Sequence, residues 1–268
     1  MIHPSAVVAD DAVLEPGVRV DALAVVGPGV SLGAGTHVMS GAQVQGPTTM
    51  GRDNRIFPHA MIGFEPQDLK FQGEETRLEV GDGNQFREGC TIHRGTTQDR
   101  GVTRIGSHNL FMVNTHVAHD CTVGDHTVFA NNATLAGHVE VQDHAVISAF
   151  TSVQQFCRVG RHAYIGGYSV LIRDSLPFVK TVGVKPACYG VNRIGLERRG
   201  FESDAIKAIE RAYRLLVRSK LARSTAVERI VAEEGGRPEI DFLVEFIQGS
   251  QRGVITSLPG RAGHRGAA

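Results

Sequence analysis

The chain of 268 residues has no tryptophan, and aromatic side chains make up only 6% of it. An interior built on large rings is therefore excluded, and small aliphatic side chains must fill it. Neither sign of charge prevails: Lys plus Arg and Asp plus Glu are both 28, for a formal net charge of zero. That balance offers no basic field for nucleic acid, which is not an expected partner. No basic N-terminal segment leads into a short apolar core, so no secretory signal is read. No run of about 18 apolar residues is present, so no transmembrane segment is expected. Cysteine is scarce as well. Cys90, Cys121, Cys157 and Cys188 form no CxxC pair and no zinc spacing. Reduced structural thiols and a cytoplasmic location follow as expectations.

What the chain does have is glycine, 32 residues of it, and a period of six. The row Ile2, Val8, Leu14, Val20, Val26, Leu32, Val38, Val44, Met50, Ile56, Ile62 is apolar throughout. The phase is lost at Asp68, returns at Val80, Phe86 and Ile92, and is lost again around 98–104. It then runs from Ile105 through Val117, Leu135 and Val153 to Leu171. The fifth position of each hexad is biased to small residues, among them Ala6, Ala24, Cys90, Cys121 and Cys157. A period of six fits neither a helix nor a long plain strand. It fits short strands joined by tight turns and wound into a solenoid, three hexads making a triangular coil of roughly 18 residues. Neighbouring coils should lie about 4.8 Å apart, and each buries its apolar row against the next.

The expected fold class is mainly β: a parallel β-helix of hexapeptide repeats over residues 1–190, with a small C-terminal α-helical domain over 191–256. A disordered tail is expected over 257–268. The first break, 64–79, reads as a loop projecting from a corner, with Gln67, Asp68 and Lys70 as its polar candidates. The second, containing Asp99-Arg100-Gly101, reads as a surface turn. Residues 178–200 read as irregular. Beyond them Ala205, Ile209, Ala212, Tyr213, Leu216 and Val217 line one helical face, with Ser203 as N-cap. Two further helices are expected over 225–234 and 239–248, separated by Gly235-Gly236-Arg237-Pro238.

Polar residues that interrupt so monotonous a scaffold are where chemistry is to be sought. Hexads starting at 117, 135 and 153 stack in coil arithmetic, which brings His119, His138 and Gln154-Gln155 onto one outward face. His116 falls at the adjoining corner. A neutral imidazole is the usual general base near neutral pH and suits deprotonation of a hydroxyl or amine that attacks a thioester. Strand alternation points Asp120 away from His119. No GxSxG run is present, so direct transfer is favoured over an acyl-enzyme. Two other readings stay open: a metal-dependent anhydrase with His116, His119 and His138 on zinc, and a scaffold without activity.

Several local runs are more specific than the hexads. They are Gln67-Asp68-Leu69-Lys70, Thr91 to Thr96, His116 to Gly124, Ala130 to His138, Gln155-Phe156-Cys157 and Arg198 to Phe201. With the helical cap, they make nearly the whole chain resemble the acyl-ACP:UDP-N-acetylglucosamine O-acyltransferases of lipid A biosynthesis. The resemblance implies a left-handed winding and a homotrimer with its site between adjacent prisms. It implies transfer of a (3R)-3-hydroxyacyl group, carried on the phosphopantetheine of acyl carrier protein, to the 3-hydroxyl of a UDP-amino sugar, with no cofactor and no metal. By the same resemblance His119 is the general base and the Gly137 N–H the oxyanion donor. His116, His138 and Gln155 belong to the sugar and catalytic pocket, and Asp68 and Lys70 contact the acceptor. Asn192, Arg198 and Arg199 meet the diphosphate and the carrier. Gly167 falls where acyl length is measured, and its missing side chain leaves room for a longer chain. Gln154 and Ile194 stand where the family carries a histidine and a glutamate. The 3-amino analogue of the sugar nucleotide therefore stays open as acceptor.

Overall fold

The computed structural model describes residues 1–260. The row at every sixth position is its core: Val26, Val44, Ile62, Ile92, Val117, Leu135 and Ile165 are all fully buried. Most strands are two residues long and end on that residue, as in Val25–Val26, His116–Val117 and Thr134–Leu135. Each pairs in parallel with the strand one coil on, Val26 with Val44 and Val117 with Leu135. Three sheets result, of nine, eight and ten strands among the described residues, and they form the faces of a triangular prism. In the order the chain visits them, the first face begins at Val7–Val8, the second at Val13–Leu14 and the third at Arg19–Val20.

At most corners the chain turns on a residue with positive φ. Asn114, Asp120, His126, Asn132, His138 and His144 all lie between 56 and 61°. This left-handed backbone is tolerated best by Gly, Asn, Asp and His, and those types hold most of the corners. The small fifth position lies just inside the turn, where Ala24, Ala42, Cys90, Cys121, Ala133 and Cys157 are fully buried. Burial pushes the thiols of Cys90, Cys121 and Cys188 up to about 12 and that of Cys157 to about 11. All four cysteines are free and function as packing.

The few aromatic rings stand in columns. Phe86, Phe111 and Phe129 stack inside the prism with centroids 5.1 and 4.8 Å apart. His108, His126, His144 and His162 stack along the corner between the second and third faces, at 5.1, 5.0 and 4.6 Å. That ladder ends on Phe178 at 5.9 Å and on the edge of Phe201 at 4.9 Å.

Residues 178–200 are not irregular. Strands Val179–Val182 and Ala187–Val191 form an antiparallel hairpin, and its first strand extends the third face beyond Tyr164–Ile165. Helix α1 (Arg193–Arg198) follows, then α2 (Ser203–Tyr213), which continues into a π-helical turn over Arg214–Arg218. Helices α3 (Arg223–Glu234) and α4 (Pro238–Gln248) complete the C-terminal part. Ser203 is the first helical residue rather than the cap; Glu202 occupies the cap without a side-chain bond. Pro238 does not separate helices but opens α4, where its missing N–H would have had no helical partner. Ser257, assigned to the tail by sequence, is tied down by Cys188 N, which donates to its carbonyl at 2.7 Å. The remaining expectation of disorder, over 261–268, lies outside the described residues.

Burial pushes His162 and His93 down to about 4, helped by His144 beside the first and His116 beside the second. The unfolded chain takes up these protons near 6.5, the folded chain only near 4. Stability is therefore complete above pH 6.5 and lost as the pH falls toward 4, by up to about 3 kcal/mol for each group. Denaturant midpoints at pH 7.5 and pH 5 check this. His162→Phe, which keeps the ring stack, should lose clearly less stability on acidification than wild type; equal losses would refute this contribution.

Candidate active site

Both insertions leave the prism at one corner, that between the first and second faces. The strand register Thr91 to His116 to Thr134 to Ser152 puts Arg94, His119, Gly137 and Gln155 in one column at this corner. Asp120, His138 and Phe156 occupy the next column. His138 N donates to His119 O at 3.0 Å and Phe156 N to Gly137 O at 3.3 Å. His119 and His138 thus sit on the corner rather than on a flat face. His116 is the reverse: it lies within strand His116–Val117 on the first face, not at the corner.

His119 and Asp120 do not point apart. Asp120 has φ 59° and turns its carboxylate back, so that His119 Nδ1 donates to Asp120 Oδ2 at 2.8 Å. Alternation governs residues within a strand, and these two occupy a turn. The Asp120 side chain is 0% exposed. Thr96 N donates to its Oδ1 at 2.9 Å and Thr96 Oγ1 to its Oδ2 at 2.6 Å. Its own N–H donates to Thr103 Oγ1 at 2.8 Å. Burial alone would raise the Asp120 carboxyl, but the bonds from His119 and Thr96, with His138 nearby, hold it below the ordinary carboxylate value. A carboxylate only accepts, so His119 Nδ1 carries hydrogen and Nε2 presents its lone pair.

Gly137 makes room for that ring. A Cβ on Gly137 would stand 2.6 Å from His119 Cε1 and 2.8 Å from Nε2. Its neighbours Ala136 and His138 donate their N–H groups across coils, whereas Gly137 N has no protein acceptor among the described residues. His138 packs edge-on to His119 at 5.1 Å and flat on Phe156 at 4.5 Å. Its Nδ1 is 3.2 Å from Asp99 Oδ2 and its Nε2 3.9 Å from Asp120 Oδ2. His116 Nδ1 is 2.7 Å from Thr91 Oγ1, and its ring meets His93 at 4.9 Å. Burial, and then the charge of His119, lowers the pKa of His116.

Asp68, Lys70, Asp99, Arg100, Asp120 and His138 line one open cavity of about 830 Å³ that runs over the second face to α4. The first insertion thus brings Asp68 and Lys70 to the His119 corner. Within one chain the other expected residues do not line that cavity. Gln155, like Gln154, is exposed at the corner above Gly137. Asn192 caps α1 and donates to His162 O at 3.0 Å, with Arg198 and Arg199 at the far end of that helix. Gly167 is exposed at the corner between the third and first faces, next to the stacked pair Phe150–Tyr168. Ile194 is exposed on α1.

Sequence reasoning missed Thr96, Asp99, His93 and Arg94. Arg94 is buried under the first insertion, its guanidinium 3.3 Å from Gly63 O, 3.3 Å from Glu65 Oε1 and over the Phe71 ring. The run Thr91 to Thr96 that contains three of these residues was the available signal. A metal trio of His116, His119 and His138 does not form. His119, Asp120 and His138 do bring ligand atoms within 4.8 Å of one another.

Short parallel coils, a paired His and Asp on a turn, and a glycine stacked against the imidazole define a hexapeptide-repeat acyltransferase. Residues 103–137 match the family of bacterial transferase hexapeptide repeats, and residues 174–255 match the second domain of UDP-N-acetylglucosamine O-acyltransferase. Among similar solved structures is the UDP-N-acetylglucosamine O-acyltransferase (LpxA) of Moraxella catarrhalis. It is 42% identical, with 95% of this chain and 99% of that chain covered and a TM-score of 0.92. LpxA of Acinetobacter baumannii is 41% identical with the same coverage and TM-score. The Arabidopsis UDP-N-acetylglucosamine acyltransferase is 33% identical over 95% of this chain and 100% of that one, with a TM-score of 0.84. The chain belongs to the UDP-N-acetylglucosamine acyltransferase family, and its β-helix is left-handed.

The Gly137 contact gives a direct test of the corner. In Gly137→Ala the new methyl group must displace the His119 ring, and kcat should fall at least roughly a hundredfold, the lower range of what a positioned base contributes. Steady-state kinetics on the folded variant check this, and wild-type turnover would show that the ring is not held there.

Proposed function

We propose that the protein transfers a (3R)-3-hydroxyacyl group from acyl carrier protein to the 3-hydroxyl of UDP-N-acetylglucosamine, the first step of lipid A biosynthesis. The observation that carries this reading is the His119–Asp120 pair, which sits beside a cavity that Asp120 and His138 line together with Asp68 and Lys70. His119 Nε2 takes the hydroxyl proton as the sugar oxygen attacks the thioester carbonyl. The Gly137 N–H stabilises the resulting oxyanion, and the buried Asp120 carboxylate stabilises the imidazolium. As the tetrahedral intermediate collapses the C–S bond breaks, and His119 returns its proton to the departing phosphopantetheine sulfur. The balance closes without a cofactor or a metal.

Asp68 and Lys70 contact the acceptor from the first insertion, and His116, His138 and Gln155 belong to the same pocket. Asn192, Arg198 and Arg199 lie away from His119 within one chain. In this reading they serve the site of an adjacent subunit in a homotrimer, where paired guanidinium groups suit a diphosphate or an acidic carrier. Gly167 serves the distal end of the acyl chain in the same way. No helix among the described residues is long and apolar enough to cross a membrane, which is compatible with the cytoplasmic location proposed here. Gln154 and Ile194 supply no titratable group on the acceptor side, and that favours keeping the 3-amino sugar nucleotide as a second acceptor.

The test is a competition assay offering acyl carrier thioester with UDP-N-acetylglucosamine and its 3-amino analogue together. Ester product from wild type is expected, with roughly 10²–10⁴-fold less turnover from a folded His119→Ala variant. Amide as the main product would move the assignment to the amino sugar. Near-normal turnover by His119→Ala would remove the mechanism.

A further inference from the structure

The second insertion makes contacts that a solenoid does not need. Residues 96–101 leave the coil between strands Thr91–His93 and Val102–Ile105. The excursion closes on itself, with Asp99 N and Gly101 N both donating to Thr96 O, at 3.3 and 3.0 Å. Gly95 permits this closure, because a Cβ there would stand 2.2 Å from Val102 N. Arg100 ties the tip to the second face, its Nη2 donating to Thr122 Oγ1 at 3.1 Å. Thr97 Oγ1 reaches Glu74 Oε1 at 3.4 Å and so braces the first insertion as well.

The polar groups of this loop turn toward the His119 corner. Thr96 is fully buried, and both its N–H and its hydroxyl donate to Asp120. Asp99 reaches His138 Nδ1 from 39 residues away in the chain. Each contact removes a freedom that the corner alone would leave. Without the Thr96 hydroxyl, the Asp120 carboxylate could rotate about its last torsion and offer His119 a poorer acceptor. Without Asp99, the His138 proton could sit on either ring nitrogen.

We propose that residues 96–101 are the positioning element of the acyl-transfer site, with Thr96 acting through Asp120 and Asp99 acting through His138. The proposal rests on the reading of His119 as general base. Both are positioning residues: Thr96 is sealed from the cavity, and Asp99 acts by fixing a ring. Asp120 is thereby held at both oxygens from one side and left to receive His119 from the other. That is the preorganisation a general base needs to act without rearrangement.

Thr96→Val, Thr96→Ser and Asp99→Ala test this in the full-length protein. Three quantities are measured for each: kcat and KM for the sugar nucleotide at saturating acyl donor, the melting temperature, and nitrogen spectra of histidine-labelled protein. The spectra report which ring nitrogen of His119 and His138 carries the proton. Thr96→Val should lower kcat by roughly tenfold to a hundredfold, a part of what a positioned base contributes, with little change in KM. Thr96→Ser keeps the hydroxyl and should restore kcat to near wild type. Asp99→Ala should lower kcat several-fold and redistribute the His138 proton at an unchanged melting temperature. Wild-type kcat and unchanged spectra in both Thr96→Val and Asp99→Ala overturn the proposal. Should His119→Ala prove active, the reading of the base fails instead. The spectra then decide on their own, and unchanged ring protonation in the two variants still overturns the positioning role.

Discussion

One backbone constraint underlies the rest: a residue in left-handed conformation at most corners of the prism. It lets a two-residue strand turn onto the next face within a single hexad, which keeps the apolar row in phase. It also reverses the direction of the side chain at that corner. Asp120 can therefore reach His119, its immediate neighbour, which two adjacent strand residues could not do. One coil further on, the same turn carries Gly137-His138 beneath them. Coil stacking, rather than any special loop, brings the imidazole, its carboxylate and the glycine together.

Charge is distributed around that pair with some economy. Asp120 is buried as an anion, which is unfavourable unless hydrogen bonds replace the lost water. Thr96 and His119 supply them, and the carboxyl stays below its ordinary value. His93 and His116 lie close by, and burial lowers the pKa of both, followed by the charge of His116 for His93 and of His119 for His116. Both shifts favour the neutral ring, so neither imidazole adds a cation beside the imidazolium that forms during transfer. Buried Arg94 pins the first insertion through its contacts with Gly63, Glu65 and Phe71. The two insertions thus differ in kind. One is a pinned loop that presents Asp68 and Lys70, and the other a closed brace around Asp120 and His138.

The solenoid was legible in the sequence because its cause is local. An aliphatic residue every sixth position and a small residue just inside each turn are visible without any long-range information. His119 and Gly137 were legible through motif runs, but their relation was not. Pairing His119 with Asp120 required knowing that the turn is left-handed, and strand alternation gave the opposite answer. Asp99 read as part of a surface turn and Thr96 only as the end of a motif run, because their partners lie 39 and 24 residues away and meet them only after coils stack. The hairpin Val179 to Val191 was missed for a related reason: its alternation is too short to stand out after a long period of six. The C-terminal helices were recognisable from their apolar face, while the cap at Glu202 carries no side-chain bond and left no signal.

The central claim is that Asp120, held by its neighbours, fixes the proton of His119 on Nδ1 and frees Nε2 for the acceptor. Asp120→Asn tests it most directly. An amide there can turn its NH₂ toward His119 and reverse the ring tautomer with almost no change in shape. Steady-state kinetics of that variant should show kcat reduced by about 10²–10⁴, as expected when a base is lost, with KM for the sugar nucleotide nearly unchanged. Wild-type kcat in a folded Asp120→Asn protein would contradict the account.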